Sequence, residues 1–209
     1  MSSNKTEQFT HSDYEIINRH VAYQGVFKIV QYKLRFKLFD GEWSTTVHRE
    51  ILERKPAAAI LPYDPILDRV ILIEQFRPGV MGHAESPWLL EIVAGIIDQD
   101  EQANQVAKRE AKEEANCDIL DIYPICEYFP SPGGSNEYLY LYCGRIDSTD
   151  VGGVYGLAEE NENIRTFSVS TDEAFMLLQE GKIKTSPAFI SLQWLQLNRE
   201  WLRQLWQTK

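Results

Sequence analysis

The chain has 209 residues, 44% of them hydrophobic and 25% charged, with 21 basic against 31 acidic side chains and a net charge of −10. This is the composition of a folded globular protein and excludes a disordered, collagen-like or low-complexity chain, while the excess acidity argues against sequence-independent binding of nucleic acid, which depends on basic surface. No apolar run approaches the roughly 20 residues that span a bilayer, the polar opening lacks the apolar stretch of a signal peptide, and Cys117, Cys126 and Cys143 contain no CxxC pair, so a cytoplasmic protein with no membrane partner, no disulfide framework and no zinc cage is expected.

The first fifty-odd residues read as antiparallel strands. Val30, Tyr32, Leu34, Phe36 and Leu38 alternate with Gln31, Lys33, Arg35 and Lys37, the pattern of a half-buried strand. Asp40-Gly41 supplies a hairpin turn into a second extended stretch, Trp43 to Ile51. A three-strand sheet of this size is marginal alone, so it is expected to pack against the rest of the chain or against a second copy. Beyond Pro56, the apolar runs Ala57–Leu61, Val70–Ile73 and Trp88–Ala94 predict buried strands. A helix follows over about Glu101–Ala115, then strands near Ile119–Phe129 and Glu137–Ile146 and a Gly-rich acidic loop around 150–163. Two helices close the chain. One starts at Thr171 and stops at Gly181; the other has Ser186 as N-cap and Pro187 in first position, and runs to about Trp206. Strands mixed with flanking helices predict an α/β layered fold, divided into a strand region at 1–53 and a larger domain at 54–209.

The helix EQANQVAKREAKEEA carries the chemical signal. At about 100° per residue, Ala103, Val106, Ala107 and Ala111 share the face that turns to the core, and Gln105, Lys108 and Lys112 lie opposite. Glu110 and Glu114, one turn apart, fall in the middle of the apolar side, with Glu113 at its edge. An acidic helix normally presents its carboxylates to solvent, but here the lysines mark the solvent face. Buried unpaired carboxylates are costly and repel one another, and three routes relieve them: protonation, pairing with Arg109, or a divalent cation. Arg109 lies about 100° from Glu110 and serves Glu101 or a neighbour more readily than the centre of the pair. A hard cation with all-oxygen ligands fits best, in the manner of Mg²⁺ beside substrate phosphates.

Counted from Gly95, five residues precede Glu101 and seven more precede Arg109-Glu110-Ala111-Lys112-Glu113-Glu114-Ala115-Asn116-Cys117. This resembles the Nudix box, G-x5-E-x7-R-E-U-x-E-E-x-G-U with U apolar, in every defining position but one. Asn116 stands where the pattern has Gly, and Asn is the best substitute where a left-handed backbone follows a helix. The resemblance implies a Nudix-type α/β/α sandwich with a mixed sheet, in which a strand-loop-helix holds divalent metal over a pyrophosphate. It implies metal contacts from Glu110 and Glu114 with Glu113 assisting, and from the carbonyl of Ala94; Glu101 and Arg109 would pin the loop to the helix. The implied cofactor is Mg²⁺, with Mn²⁺ as an alternative.

Outside the box, three further features resemble the bacterial ADP-ribose-hydrolysing branch of the family. Ser131-Pro132-Gly133-Gly134 lies shortly beyond the box, although a Pro-Gly pair by itself is a common turn. The run Gly156 to Arg165 matches the loop that carries the general base, although by itself it reads as a solvated charge run; the match implies Glu160 as catalytic base and Glu162 as a further metal contact, with the two roles exchangeable. Arg49-Glu50 and Arg77 match residues that bind the adenosine end and phosphate respectively, the planar guanidinium suiting bidentate phosphate contact, and Ser131 and Glu137 match positions near the terminal ribose. The implied activity is Mg²⁺-dependent hydrolysis of ADP-ribose to AMP and ribose 5-phosphate in a homodimer whose N-terminal sheets cross to the partner. A GDP-mannose or other nucleoside-diphosphate-sugar pyrophosphatase is the alternative, since it shares the strands, the box and the turn. A non-catalytic ADP-ribose sensor is disfavoured by the intact glutamates and by the lack of a basic helix-turn-helix segment. His11, His20, His48 and His83 are scattered without catalytic spacing. Seven acids lie between Glu91 and Glu114 and three more between Glu159 and Glu162, so the excess acidity is concentrated where a metal site is expected.

Overall fold

The computed structural model describes residues 9–83, 85–157 and 161–207. The chain divides into two compact units, one comprising the chain up to Arg54 together with Phe129–Glu137, the other Lys55–Tyr128 and the chain from Tyr138 onward.

The first unit is a three-stranded antiparallel sheet of β1 (Tyr14–Gln24), β2 (Lys28–Phe36) and β3 (Val47–Glu53), in that order. The predicted turn is present, with Gly41 at φ +89°. Trp43 pairs with Lys37 only as an isolated bridge, however, and the continuous β2–β3 ladder resumes at Val47. The reason is local: the Ser44 amide donates to the Phe36 carbonyl at 2.8 Å and its hydroxyl accepts the Phe36 amide at 3.1 Å, so the side chain takes over a ladder bond. Phe129–Glu137, which the sequence reading assigned to the larger domain, attaches along β3. The Leu52 amide donates to Gly134 O at 2.8 Å, and the Arg54 amide to Asn136 Oδ1 at 2.7 Å.

The second unit is built on an eight-stranded mixed sheet. Its strands are β4 (Ala57–Asp64), β5 (Arg69–Phe76), β6 (Trp88–Glu91), β7 (Val93–Ile96), β8 (Asp121–Tyr128), β9 (Leu139–Arg145), β10 (Gly152–Tyr155) and β11 (Ile164–Ser170). The order is β10-β11-β5-β4-β9-β8, with β6 added to β5 and β7 to β4. Among the described strands of this sheet, only the β4–β9 pair is parallel. Trp88–Ala94, expected as one strand, is two short strands serving different neighbours, and the loop expected at 150–163 contains β10.

The central strands read as unbroken apolar runs because both of their faces are covered. Ala59, Leu61, Tyr63, Val70 and Leu72 pack with Phe175, Leu192, Leu195 and Trp206 of α2 (Thr171–Gln179) and α3 (Ser186–Gln207). Ala58, Ile60, Ile71 and Ile73 face the other way onto Val106, Ala107 and Ala111 of α1 (Ala103–Ala115). The period-two alternation of β4 and β5 thus makes an α/β/α sandwich, as expected. Ser186 is the first residue of α3 and not its cap: the Phe189 amide donates to Thr185 O at 3.0 Å, and the Ser186 hydroxyl meets that of Tyr128 at 3.2 Å.

Candidate active site

The site begins with α1. Val106, Ala107, Ala111 and Ala115 are buried, and so is Glu114, only 4% exposed. Lys108 and Lys112 are exposed, so the glutamates lie on the core side as the angular arithmetic predicts. The helix ends at Asn116, whose φ of 50° and ψ of 33° place it in the left-handed region; its amide and that of Cys117 return to Lys112 O and Ala111 O at 3.0 and 2.9 Å. These bonds satisfy carbonyls that have no partner within the helix.

Gly95 matters for a reason other than backbone freedom. A Cβ there would lie 1.9 Å from Glu110 Oε1 and 2.1 Å from its Cδ. The Glu110 side chain therefore lies directly against the β7 backbone, and a side chain at position 95 would have to displace it. The next residue back, Ala94, donates its amide to Glu114 Oε2 at 3.2 Å.

Arg109 does more than the helical wheel suggests. Its Nε lies 3.5 Å from Glu101, while Nη1 reaches Glu110 at 2.9 Å and Glu113 at 2.8 Å. Arg109 thus serves Glu101 and the neighbouring Glu113, as expected, and it also reaches Glu110 of the pair, because a long arginine spans the angular gap that separates the Cα positions. Glu101 in turn accepts the Asp98 amide at 3.0 Å, which ties down the loop before the helix.

The electrostatics follow from burial. Glu110 is held above the usual carboxylate range by burial, opposed by Arg109 and reinforced by Glu113 and Glu162. Glu114 is pushed up to about 8 by burial, which outweighs the Ala94 amide, and by the fields of Glu110 and Glu162. Glu162 therefore belongs to the same electrostatic cluster. Glu162 exchanges reciprocal bonds with Leu157, amide to carboxylate and amide to carbonyl, each 3.2 Å. Gly156, at φ +106°, makes room for it, since a Cβ there would lie 2.7 Å from Glu162 Cβ. Glu160 lies outside the described residues.

Arg77, just past β5, is engaged by Glu91 of β6: Nη2 at 2.7 Å from Oε2, and Nε at 3.1 and 3.2 Å from the two oxygens. Burial opposes the guanidinium charge, but the hydrogen bonds to Glu91 and the fields of Glu91, Glu114 and Glu162 outweigh it and raise the pKa.

The remaining predicted residues fall in the first unit. Arg49 and Glu50 are consecutive exposed residues of β3; Arg49 Nη1 donates to His48 O at 2.8 Å, and Glu50 accepts Gln31 Nε2 at 2.9 Å. Ser131 opens a turn in which its carbonyl accepts the Gly134 and Ser135 amides at 3.2 and 3.0 Å. Glu137 is held by Arg54 at 3.0 Å.

Two neighbours escape the sequence reading. Glu91 is an acid in an otherwise apolar predicted strand, and that irregularity is the signal that marks it. Thr166 of β11 is buried and donates its hydroxyl to the Glu114 carbonyl at 2.8 Å; nothing in its local sequence distinguishes it.

Among the described residues no three acidic, histidine or cysteine side chains converge on one point as a ready-made cage. The donor set nevertheless fits a hard cation shared with a ligand's phosphates: carboxylate oxygens only, two of them one turn apart on a buried face and destabilised as anions, with an arginine of opposite charge alongside.

A family model described as the NUDIX domain matches residues 53–191. The ADP-ribose pyrophosphatase of Escherichia coli (strain K12) is 44% identical over 198 residues, covering 95% of each chain. The GDP-mannose pyrophosphatase of Yersinia pestis (strain Pestoides F) is 31% identical over 177 residues, covering 82% of this chain and 86% of its own. A crystal structure titled as an ADP compounds hydrolase superposes with a TM-score of 0.66 at 20% identity, covering 91% of this chain and 98% of that one, which shows a shared fold. The box that opens at Gly95, the glutamates of α1 on their buried face and the family match agree: this chain belongs to the Nudix family.

Proposed function

We propose that the protein hydrolyses the pyrophosphate bond of ADP-ribose to AMP and ribose 5-phosphate, using Mg²⁺, with Mn²⁺ as the alternative ion. The observation that carries this reading is the end-to-end likeness to an ADP-ribose pyrophosphatase, which extends through the first unit as well as the box. Glu110, Glu114 and Glu162 would hold the metal, with Glu113 assisting and the Ala94 carbonyl completing the set. Bound there, a divalent cation supplies neutralisation of phosphate charge and acidifies a coordinated water. Arg77 contacts a phosphate oxygen, and Glu160 accepts the proton of the attacking water. Water adds to one phosphorus, the bridging P–O bond breaks, and the two phosphate monoesters leave. Arg49 and Glu50 bind the adenosine end, and Ser131 and Glu137 the terminal ribose.

The strand region 1–53 serves dimerisation, the domain 54–209 catalysis. Every residue of β1 is exposed, among them Ile16, Ile17, Val21 and Tyr23, and an apolar strand left open in this way favours a homodimer. Cys117, Cys126 and Cys143 are free thiols, which suits a reducing cytoplasm. Among the described residues no helix is long and apolar enough to cross a membrane.

The test is a panel of ADP-ribose, GDP-mannose and other nucleoside diphosphate sugars, with Mg²⁺, Mn²⁺ or chelator, and products identified by mass. AMP and ribose 5-phosphate formed fastest from ADP-ribose support the reading. Preferential turnover of GDP-mannose assigns the other branch, and tight binding of ADP-ribose with no product assigns a sensor. Parallel assays of Glu160→Gln and Glu162→Gln distinguish base from ligand, since added metal rescues only a ligand variant.

A further inference from the structure

We propose that Glu91 is the positioning residue for Arg77, locking the guanidinium in the orientation in which it receives a substrate phosphate; this rests on the assignment of Arg77 to phosphate. The sheet register sets up the pair. β5 and β6 run antiparallel with Ile73 opposite Glu91 and Gln75 opposite Leu89, so positions 73, 75 and 91 share one face, the face on which Ile73 packs with α1. Gln75 and Glu91 are 8% and 7% exposed. Gln75 Nε2 donates to Glu91 Oε2 at 3.3 Å, and Glu91 receives both Nε and Nη2 of Arg77. Nη1 of Arg77 makes no hydrogen bond among the described residues, and the side chain remains 43% exposed.

Arg77 lies in the fields of Glu91, Glu114 and Glu162 together, and of these only Glu91 holds it by hydrogen bonds among the described residues. Glu91 is paired along the Nε–Nη2 edge of the guanidinium, and the two planar groups fix one another in a way that a lysine ammonium does not reproduce. An arginine free to rotate loses side-chain entropy when it grips a phosphate; one already ordered by a buried partner does not. Glu91 therefore acts on substrate binding through Arg77, without touching substrate.

The test is a double-mutant cycle on ADP-ribose hydrolysis at saturating Mg²⁺, with Arg77→Ala, Glu91→Gln and the combination, alongside ¹⁵N spectra of the metal-free and substrate-free protein. Glu91→Gln is expected to raise KM about tenfold with kcat within about twofold, as befits loss of one charge-assisted hydrogen-bond pair. The double variant should be no worse than Arg77→Ala. The spectrum should show one protected arginine Nε–H that is lost in Arg77→Ala and displaced in Glu91→Gln. If Glu91→Gln does not fold, Glu91→Asp keeps the charge but is too short to span both nitrogens, and the same rise in KM is expected. A wild-type KM for Glu91→Gln beside an impaired Arg77→Ala overturns the positioning role. Additive effects in the cycle overturn it as well, because Glu91 would then act through strand pairing alone. A wild-type KM for Arg77→Ala overturns the phosphate assignment beneath it.

Discussion

Glu114→Gln in the metal-free protein offers the sharpest test of the electrostatic reasoning. Burial holds the Glu114 carboxyl at about 8 in the folded chain, against an ordinary value of 4.5. Below pH 4.5 the group is protonated whether folded or not, and the substitution is close to neutral. Between these limits the unfolded chain gives up a proton that the folded chain keeps. Wild-type stability then falls by about 1.4 kcal/mol per pH unit, a loss that levels off once the folded carboxyl also ionises. Glutamine keeps the oxygen that accepts the Ala94 amide and has no proton to lose. The variant should therefore match wild type at pH 4, exceed it by about 3 kcal/mol at pH 7, and approach about 5 kcal/mol above pH 8. For a chain of this length 3 kcal/mol corresponds to roughly 6–12 °C in Tm. The assay is thermal unfolding in chelator across that pH range, repeated with millimolar Mg²⁺. Added metal should raise wild-type Tm and leave the variant nearly unchanged, since only a ligand that binds the folded state stabilises it. Parallel pH profiles for the two proteins in chelator would refute the reasoning, because Glu114 would then be ionised at neutral pH despite its burial.

Three further substitutions probe the same helix. Gly95→Ala places a methyl 1.9 Å from Glu110 Oε1; it should cost about 1–3 kcal/mol in denaturant unfolding and lower turnover roughly 100-fold as the carboxylate is displaced. Thr166→Val removes the hydroxyl bond to the Glu114 carbonyl and should cost about 1–3 kcal/mol and weaken Mg²⁺ binding measured by calorimetry, with Thr166→Ser restoring both. Asn116→Val forces a β-branched residue to φ 50° and should lower stability by roughly 1–2 kcal/mol, whereas Asn116→Gly should be at least as stable as wild type.

Much of the glutamate-bearing face of α1 was legible from the sequence because helix geometry is local. Once α1 is assigned, the separation of Lys108 and Lys112 from Glu110 and Glu114 follows from the helical repeat, and the left-handed turn at Asn116 follows from where the helix stops. The apolar runs that became β4 and β5 were legible for the same reason, as were the start of α2 at Thr171 and its stop before Gly181. The reach of Arg109 to Glu110 was not, since a wheel places Cα directions and says nothing of how far a long side chain bends.

The amino-acid sequence by itself determined the family, the layered fold and which carboxylates are driven together, because spacing along one helix and alternation along one strand depend on neighbours a few residues apart. Only the tertiary structure decided what surrounds those carboxylates. Thr166 meets Glu114 from 52 positions away, Glu91 meets Arg77 through the register of two strands, and Phe129–Glu137 joins β3 instead of the larger domain. Those pairings rest on how elements distant in sequence come together in the folded chain, and for Glu91 and Arg77 on strand register, where a shift of one residue sends every side chain to the opposite face.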